Sequence, residues 1–113
     1  MRSLAIVFAV IVPFTSMARV EAASHPDDAP VRAIQFIDER EGWAVGDDGV
    51  IWHSIDGGAS WEAQRSGVNA SLRAVHFLTP YTGWIVGRAE LPGAGSRGVV
   101  LATTDGGLKW TPV

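Results

Sequence analysis

Asp47, Asp48, His53 and Asp56 fall within the stretch "GDDGVIWHSIDGG" (46–58). Carboxylates and an imidazole at this density could ligate a metal or trade protons. The spacing fits neither a calcium loop, which alternates Asp and Asn before a Gly and ends on a distal Glu, nor a zinc site, since His25, His53 and His76 are too scattered. His53 and His76 instead read as strand residues with satisfied polar atoms, and His25 with Asp27 and Asp28 as a solvated tail. Glycoside hydrolysis needs two carboxyl groups flanking a cleft at a set separation. Asp38, Glu39, Glu41, Asp47, Asp48 and Glu62 supply carboxylates, but all except Glu62 cluster at turns, where acidic residues are ordinarily solvated. No catalytic, cofactor or metal residue is assigned.

The octet "SIDGGASW" (54–61) returns as "TTDGGLKW" (103–110), and each residue type in it has a structural task. Asp accepts hydrogen bonds from backbone N–H groups further along the turn. Paired Gly residues adopt positive φ without a Cβ clash. The Ser or Thr hydroxyl ties the same loop, and the Trp ring folds back on the hairpin. A buried Trp costs about 3–5 kcal/mol on truncation to Ala. The octet therefore closes a hairpin.

The elements around it are duplicated. "VRAIQFIDEREGWAVG" (31–46) matches "LRAVHFLTPYTGWIVG" (72–87) at an offset of 41 residues, and "GVIWHSIDGGASW" (49–61) matches "GVVLATTDGGLKW" (98–110) at an offset of 49. The second copy carries eight extra residues within "RAELPGAGSR" (88–97), where Pro, Gly and Ala suggest a mobile, partner-contacting or merely tolerated loop. One unit spans 31–71 and the other 72–113. Each holds four short strand candidates rich in β-branched and aromatic residues, in the first copy Ala33–Ile37, Trp43–Val45, Val50–Ile55 and Ser60–Gln64, parted by "DEREG", "GDDG" and "DGG". On the third strand Val50 and Trp52 point one way, Ile51 and Ile55 the other. A sheet apolar on both faces must be covered on both, and stacked four-stranded blades with a period near 40 residues do this. The expected fold is all-β, two four-stranded propeller-type blades; a sandwich is the alternative.

The octets resemble the Asp-box (S/T-x-D-x-G-x-x-W) of bacterial neuraminidase-type repeats. Ser54, Asp56, Gly58 and Trp61 hold the box positions in the first copy, and Thr103, Asp105, Gly107 and Trp110 in the second. Joined to "GWAVGDDG" and "GWIVG", they are similar to the repeats of the photosystem II assembly/stability factor family across residues 31–113. That resemblance implies an exported, non-enzymatic propeller that binds protein, including a membrane-protein precursor. It also implies that the boxes lie away from any active site. Two blades do not close a ring, so the chain is expected to be a fragment, a truncated product or a part that self-associates to complete one. The alternative is a sialidase-like hydrolase or carbohydrate-binding propeller on the same repeats. Sialidases use a Tyr nucleophile, carboxylates and an Arg cluster, and the sole Tyr here, Tyr81, sits in the turn "LTPYTG". Trp43, Trp61, Trp84 and Trp110 are assigned to repeat packing, which leaves few aromatics for sugar binding.

Three residues stand out as partner-binding candidates. Arg32 and Arg73 hold equivalent repeat positions and either frame the first strand of each blade or form a basic stripe. Trp52, whose counterpart is Leu101, either packs between blades or faces a partner. Residues 1–22 have the layout of a secretory signal peptide, with Arg2, the apolar run Leu4–Val12 and "VEA" before a cleavage after Ala22. The run is shorter than the roughly 20 residues that span a bilayer. Residues 23–30, "ASHPDDAP", read as a flexible lead-in. The net charge is −3, and −4 once Arg2, Arg19 and Glu21 are removed, which argues against nucleic acid as a partner. The chain has no Cys, hence no disulfide, thiolate or cysteine-linked lipid.

Overall fold

The first unit forms β1 (Val31–Phe36), β2 (Gly42–Gly46), β3 (Val50–Ser54) and β4 (Glu62–Arg65), and the second β5 (Ser71–Phe77), β6 (Gly83–Leu91), β7 (Gly95–Thr103) and β8 (Thr111–Pro112). These come from a computed structural model, which describes residues 29–113. The signal peptide and most of the lead-in lie outside the described residues. Each unit is one antiparallel sheet in chain order, β1-β2-β3-β4 and β5-β6-β7-β8. This is the expected all-β pair of four-stranded blades.

Side-chain oxygens end the strands. Asp38 Oδ1 accepts the N–H of Arg40 at 2.8 Å and of Glu41 at 2.7 Å, closing the β1–β2 turn. Thr79 Oγ1 does the same in the second blade with the N–H of Tyr81 and Thr82. Tyr81 is exposed in that turn. The strand β4 begins at Glu62 rather than Ser60, because Asp56 holds both the N–H and the hydroxyl of Ser60 inside the Asp-box turn. For the same reason Ile55 lies outside β3 and is exposed instead of facing a core. The segment 88–97 is not a mobile loop. It lengthens the β6–β7 hairpin, pairing Arg88 with Gly98 through to Leu91 with Gly95.

Register decides the faces. The row Val75–Ile85–Leu101–Pro112 runs across the second sheet. Its buried members pack with Trp43, Val45 and Ile51 of the first sheet in one core that also takes in Leu72, Phe77, Val99 and Trp110. The glycine that opens each "GWxVG" is fixed by the Phe ring of the preceding strand. A Cβ on Gly42 would lie 2.6 Å from the Phe36 ring, and one on Gly83 would lie 2.7 Å from the Phe77 ring. Two glutamines clasp the blades. Gln35 Oε1 accepts the Phe77 N–H at 2.6 Å, and Gln64 Nε2 donates to the Gly106 carbonyl at 3.1 Å.

Candidate functional site

The carboxylates of the Asp-boxes are committed to their own turns. Ser54 Oγ accepts the Gly58 N–H at 2.8 Å and donates to Asp56 Oδ1 at 2.9 Å. Thr103 Oγ1 repeats this with the Gly107 N–H at 2.9 Å and Asp105 Oδ1 at 2.8 Å. The loop needs left-handed backbone at its paired glycines, with φ of 74° and 94° at Gly57 and Gly58 and 75° and 92° at Gly106 and Gly107. Partial burial pushes the Asp56 carboxyl up, but the hydroxyl and N–H of Ser60 and the Ser54 hydroxyl outweigh it and bring it down. The Lys109 N–H and the Thr103 hydroxyl lower Asp105. Trp61 meets Phe36, and Trp110 meets Phe77, edge to face. A carboxylate saturated in this way is a poor proton acceptor, and the box is a hairpin clamp.

His53 Nε2 lies 2.8 Å from Glu41 Oε2, and its ring stacks on Trp43. His76 is exposed on β5. No group of three or more His, Asp or Glu side chains among the described residues converges as a metal site.

The arginines do converge. Arg32 donates from Nε and Nη2 to the two oxygens of Asp47, at 2.9 and 2.8 Å. Ser71 Oγ donates to Asp47 Oδ1 at 2.7 Å and accepts from Arg73 Nε at 3.2 Å. One polar chain, Arg32–Asp47–Ser71–Arg73, thus crosses from the first blade to the second. The Arg32 guanidinium, helped by the Ser71 hydroxyl, holds the Asp47 carboxyl at about 2, and Asp47 in turn raises Arg32. These residues line an open cleft of about 440 Å3 together with Asn69, Arg88 and Glu90.

The repeat explains what is unusual here. Position 47 of the first unit corresponds to position 88 of the second, so the place that gives Arg32 its carboxylate gives Arg73 a second guanidinium, Arg88. Neither Arg73 nor Arg88 has an ion pair among the described residues. Two guanidinium forks lining one cleft, neither held in an ion pair, suit a carboxylate-bearing ligand.

The comparisons with known proteins agree with the blade geometry. The family model for photosynthesis system II assembly factor YCF48 matches residues 13–113. The chain belongs to this family. A curated relative, the photosystem II assembly lipoprotein Ycf48 of Synechococcus sp. (strain CC9902), is 30% identical over 104 residues, covering 88% of this chain and 28% of the relative. A solved structure of YCF48 bound to a D1 peptide matches with a TM-score of 0.62 at 32% identity, over 78% of this chain and 27% of that one. YCF48 from Cyanidioschyzon merolae matches with a TM-score of 0.60 at 28% identity, over 78% and 24%. The chain spans just over a quarter of the length of the curated relative. The relatives are assembly factors, and the two sheets match part of the YCF48 fold.

Of the three partner-binding candidates, the structure brings Arg32 and Arg73 together and leaves Trp52 apart. Trp52 stands half-buried on the outer face of the first sheet, opposite Ala44 and Ala63, and lines a separate shallow recess. It does not lie between the two blades. Trp84, assigned by the repeat to packing, is substantially exposed. Asp47, Ser71 and Arg88 were not singled out as binding residues by the sequence. The repeat alignment of position 47 with position 88 was the signal that could have found the last.

Proposed function

We propose that this chain is a non-enzymatic protein-binding module on the exported side of a membrane, assisting assembly of photosystem II by holding an extended segment of a membrane-protein precursor. The observation that carries the reading is the Arg73–Arg88 pair, two guanidinium groups lining one cleft, neither of them in an ion pair among the described residues. A YCF48 bound to a D1 peptide is similar to this chain over 78% of its length, which supports a peptide as the ligand. Arg32 is the framing member, locked to Asp47, while Arg73 and Arg88 are the contacting members. Each guanidinium–carboxylate contact is worth roughly tenfold or more in affinity. Trp52 adds an apolar contact for a partner that reaches the outer face. Export rests on the leader-like residues 1–22, and self-association through the free blade faces belongs to the same reading.

The test is a titration of a fluorescent D1 peptide into the wild type and into Arg73→Ala and Arg88→Ala. Each substitution should weaken binding by roughly tenfold or more, with unchanged far-UV circular dichroism. Equal affinity for all three proteins would overturn the reading.

A further inference from the structure

The contact between the two blades can be compared with the faces that point away from it. On the first sheet Trp43, Val45 and Ile51 are 0%, 0% and 1% exposed, because the second sheet lies over them. Their repeat counterparts Trp84, Val86 and Val100 are 38%, 43% and 39% exposed, and no described residue covers them. The opposite side shows the reverse. Phe77 is 3% exposed beneath Trp43, while its counterpart Phe36 is 36% exposed, beside Ile34 at 57%. The unit carries a copy of each half of its own blade contact, one at each end.

The seat at the first blade is already formed. Phe77 meets Trp110 with ring centroids 5.7 Å apart and planes at 88°, and receives Trp43 on its free side at 3.5 Å and 8°. Phe36 meets Trp61 at 5.8 Å and 72°, and no other ring among the described residues lies upon it. We propose that Trp84 of a second copy of this chain stacks on Phe36, so that copies join head to tail through a contact equivalent to the one within each copy. Val86 and Val100 then cover the row Ile34–Ala44–Trp52, and Trp52 becomes an inter-copy residue where blade two has Leu101. Neither row holds an ionised side chain, so the rows themselves bury no charge on docking. A head-to-tail contact uses two different faces, so it propagates until a ring closes.

The contact between copies is weaker than the one within a copy. Gln35 bonds both the N–H and the carbonyl of Phe77. Its counterpart is His76, whose neutral ring offers one donor and one acceptor on opposite nitrogens and cannot reproduce that clasp. Association should therefore depend on concentration, between copies that are already folded.

The proposal rests on blade packing and only on the self-association part of the function above; the peptide cleft is separate. Sedimentation equilibrium of the wild type over rising concentration should show a mass of several copies. Trp84→Glu and Phe36→Glu should each sediment as one copy. An equimolar mixture of the two should give two copies, since each variant retains the face the other lacks. Val100→Glu and Ile34→Glu repeat the test at residues already exposed, should either aromatic variant fail to fold. The Trp84→Glu variant should match the wild type's affinity for a D1 peptide, since Trp84 does not line the cleft, so lost association with unchanged peptide affinity separates this proposal from the peptide reading. A wild type that stays single-copy at its solubility limit overturns the proposal. So does a Phe36→Glu protein that remains a dimer, which would mean Trp84 faces meeting each other.

Discussion

Phe77 of β5 lies parallel to Trp43 of β2, with ring centroids 3.5 Å apart and planes 8° apart, and this stack joins the first blade to the second. Each ring has a second aromatic neighbour in its own blade, His53 beside Trp43 and Trp110 against Phe77. The two sheets therefore share one core. Truncating Phe77 to Ala should destabilise the pair by about 3–5 kcal/mol. Urea unfolding should show it as a lowered midpoint, and a midpoint unchanged from the wild type would mean the blades hold together by other means.

The Asp-box makes a sharper prediction at Thr103. Its hydroxyl satisfies the buried Gly107 N–H and orients Asp105. Thr103→Val keeps the shape and removes the acceptor, so the cost should be about 1–3 kcal/mol. Thr103→Ser should restore most of the loss, and thermal melts of the three proteins give the comparison.

Glycine at position 83 is a matter of space. Gly83→Ala places a Cβ 2.7 Å from the Phe77 ring, which is pinned between Trp43 and Trp110. Overpacking of this kind costs about 1–3 kcal/mol. Gly98→Ala is the control, since nothing lies within 4 Å of its Cβ and its φ is not positive, and it should fall within about 0.5 kcal/mol of the wild type.

Acid should loosen the blade junction at a defined place. The Asp47 carboxyl is held at about 2 by Arg32 and Ser71, against 3.8 in the unfolded chain. A depressed carboxyl stabilises the fold above its unfolded value, and that stability is lost as pH falls towards the folded value. The loss should therefore appear between about pH 4 and pH 2. Asp47→Asn should flatten this part of the stability profile while leaving Asp56 and Asp105, whose carboxyls are also lowered, to titrate in the remainder.

Much of the fold was legible in the sequence because the repeat fixes it locally. Spacing alone assigned Asp56 and Asp105 to hairpin clamps, since every bond they make lies within four residues. The cleft was only half legible. Arg32 and Arg73 stood out by equivalence, but the acceptor that joins them, Asp47, is reached from 15 residues away on one side and 24 on the other. Arg88 aligns with Asp47 at the same 41-residue offset, but its side chain differs in charge and it opens the inserted segment, so equivalence of residue type did not mark it. Trp84 was misjudged for a different reason. A repeat pattern gives its two copies the same environment, whereas burial depends on which neighbouring blade is present.

The central claim is that the Arg73–Arg88 pair of the inter-blade cleft binds a peptide. The most direct measurement is a 15N chemical-shift titration of the protein with a D1 peptide. The account predicts saturable shifts centred on Ser71, Arg73, Arg88 and Asp47, with the Asp-box turns at 54–61 and 103–110 unmoved. Shifts confined to the Asp-box turns, or none at saturating peptide, would contradict it.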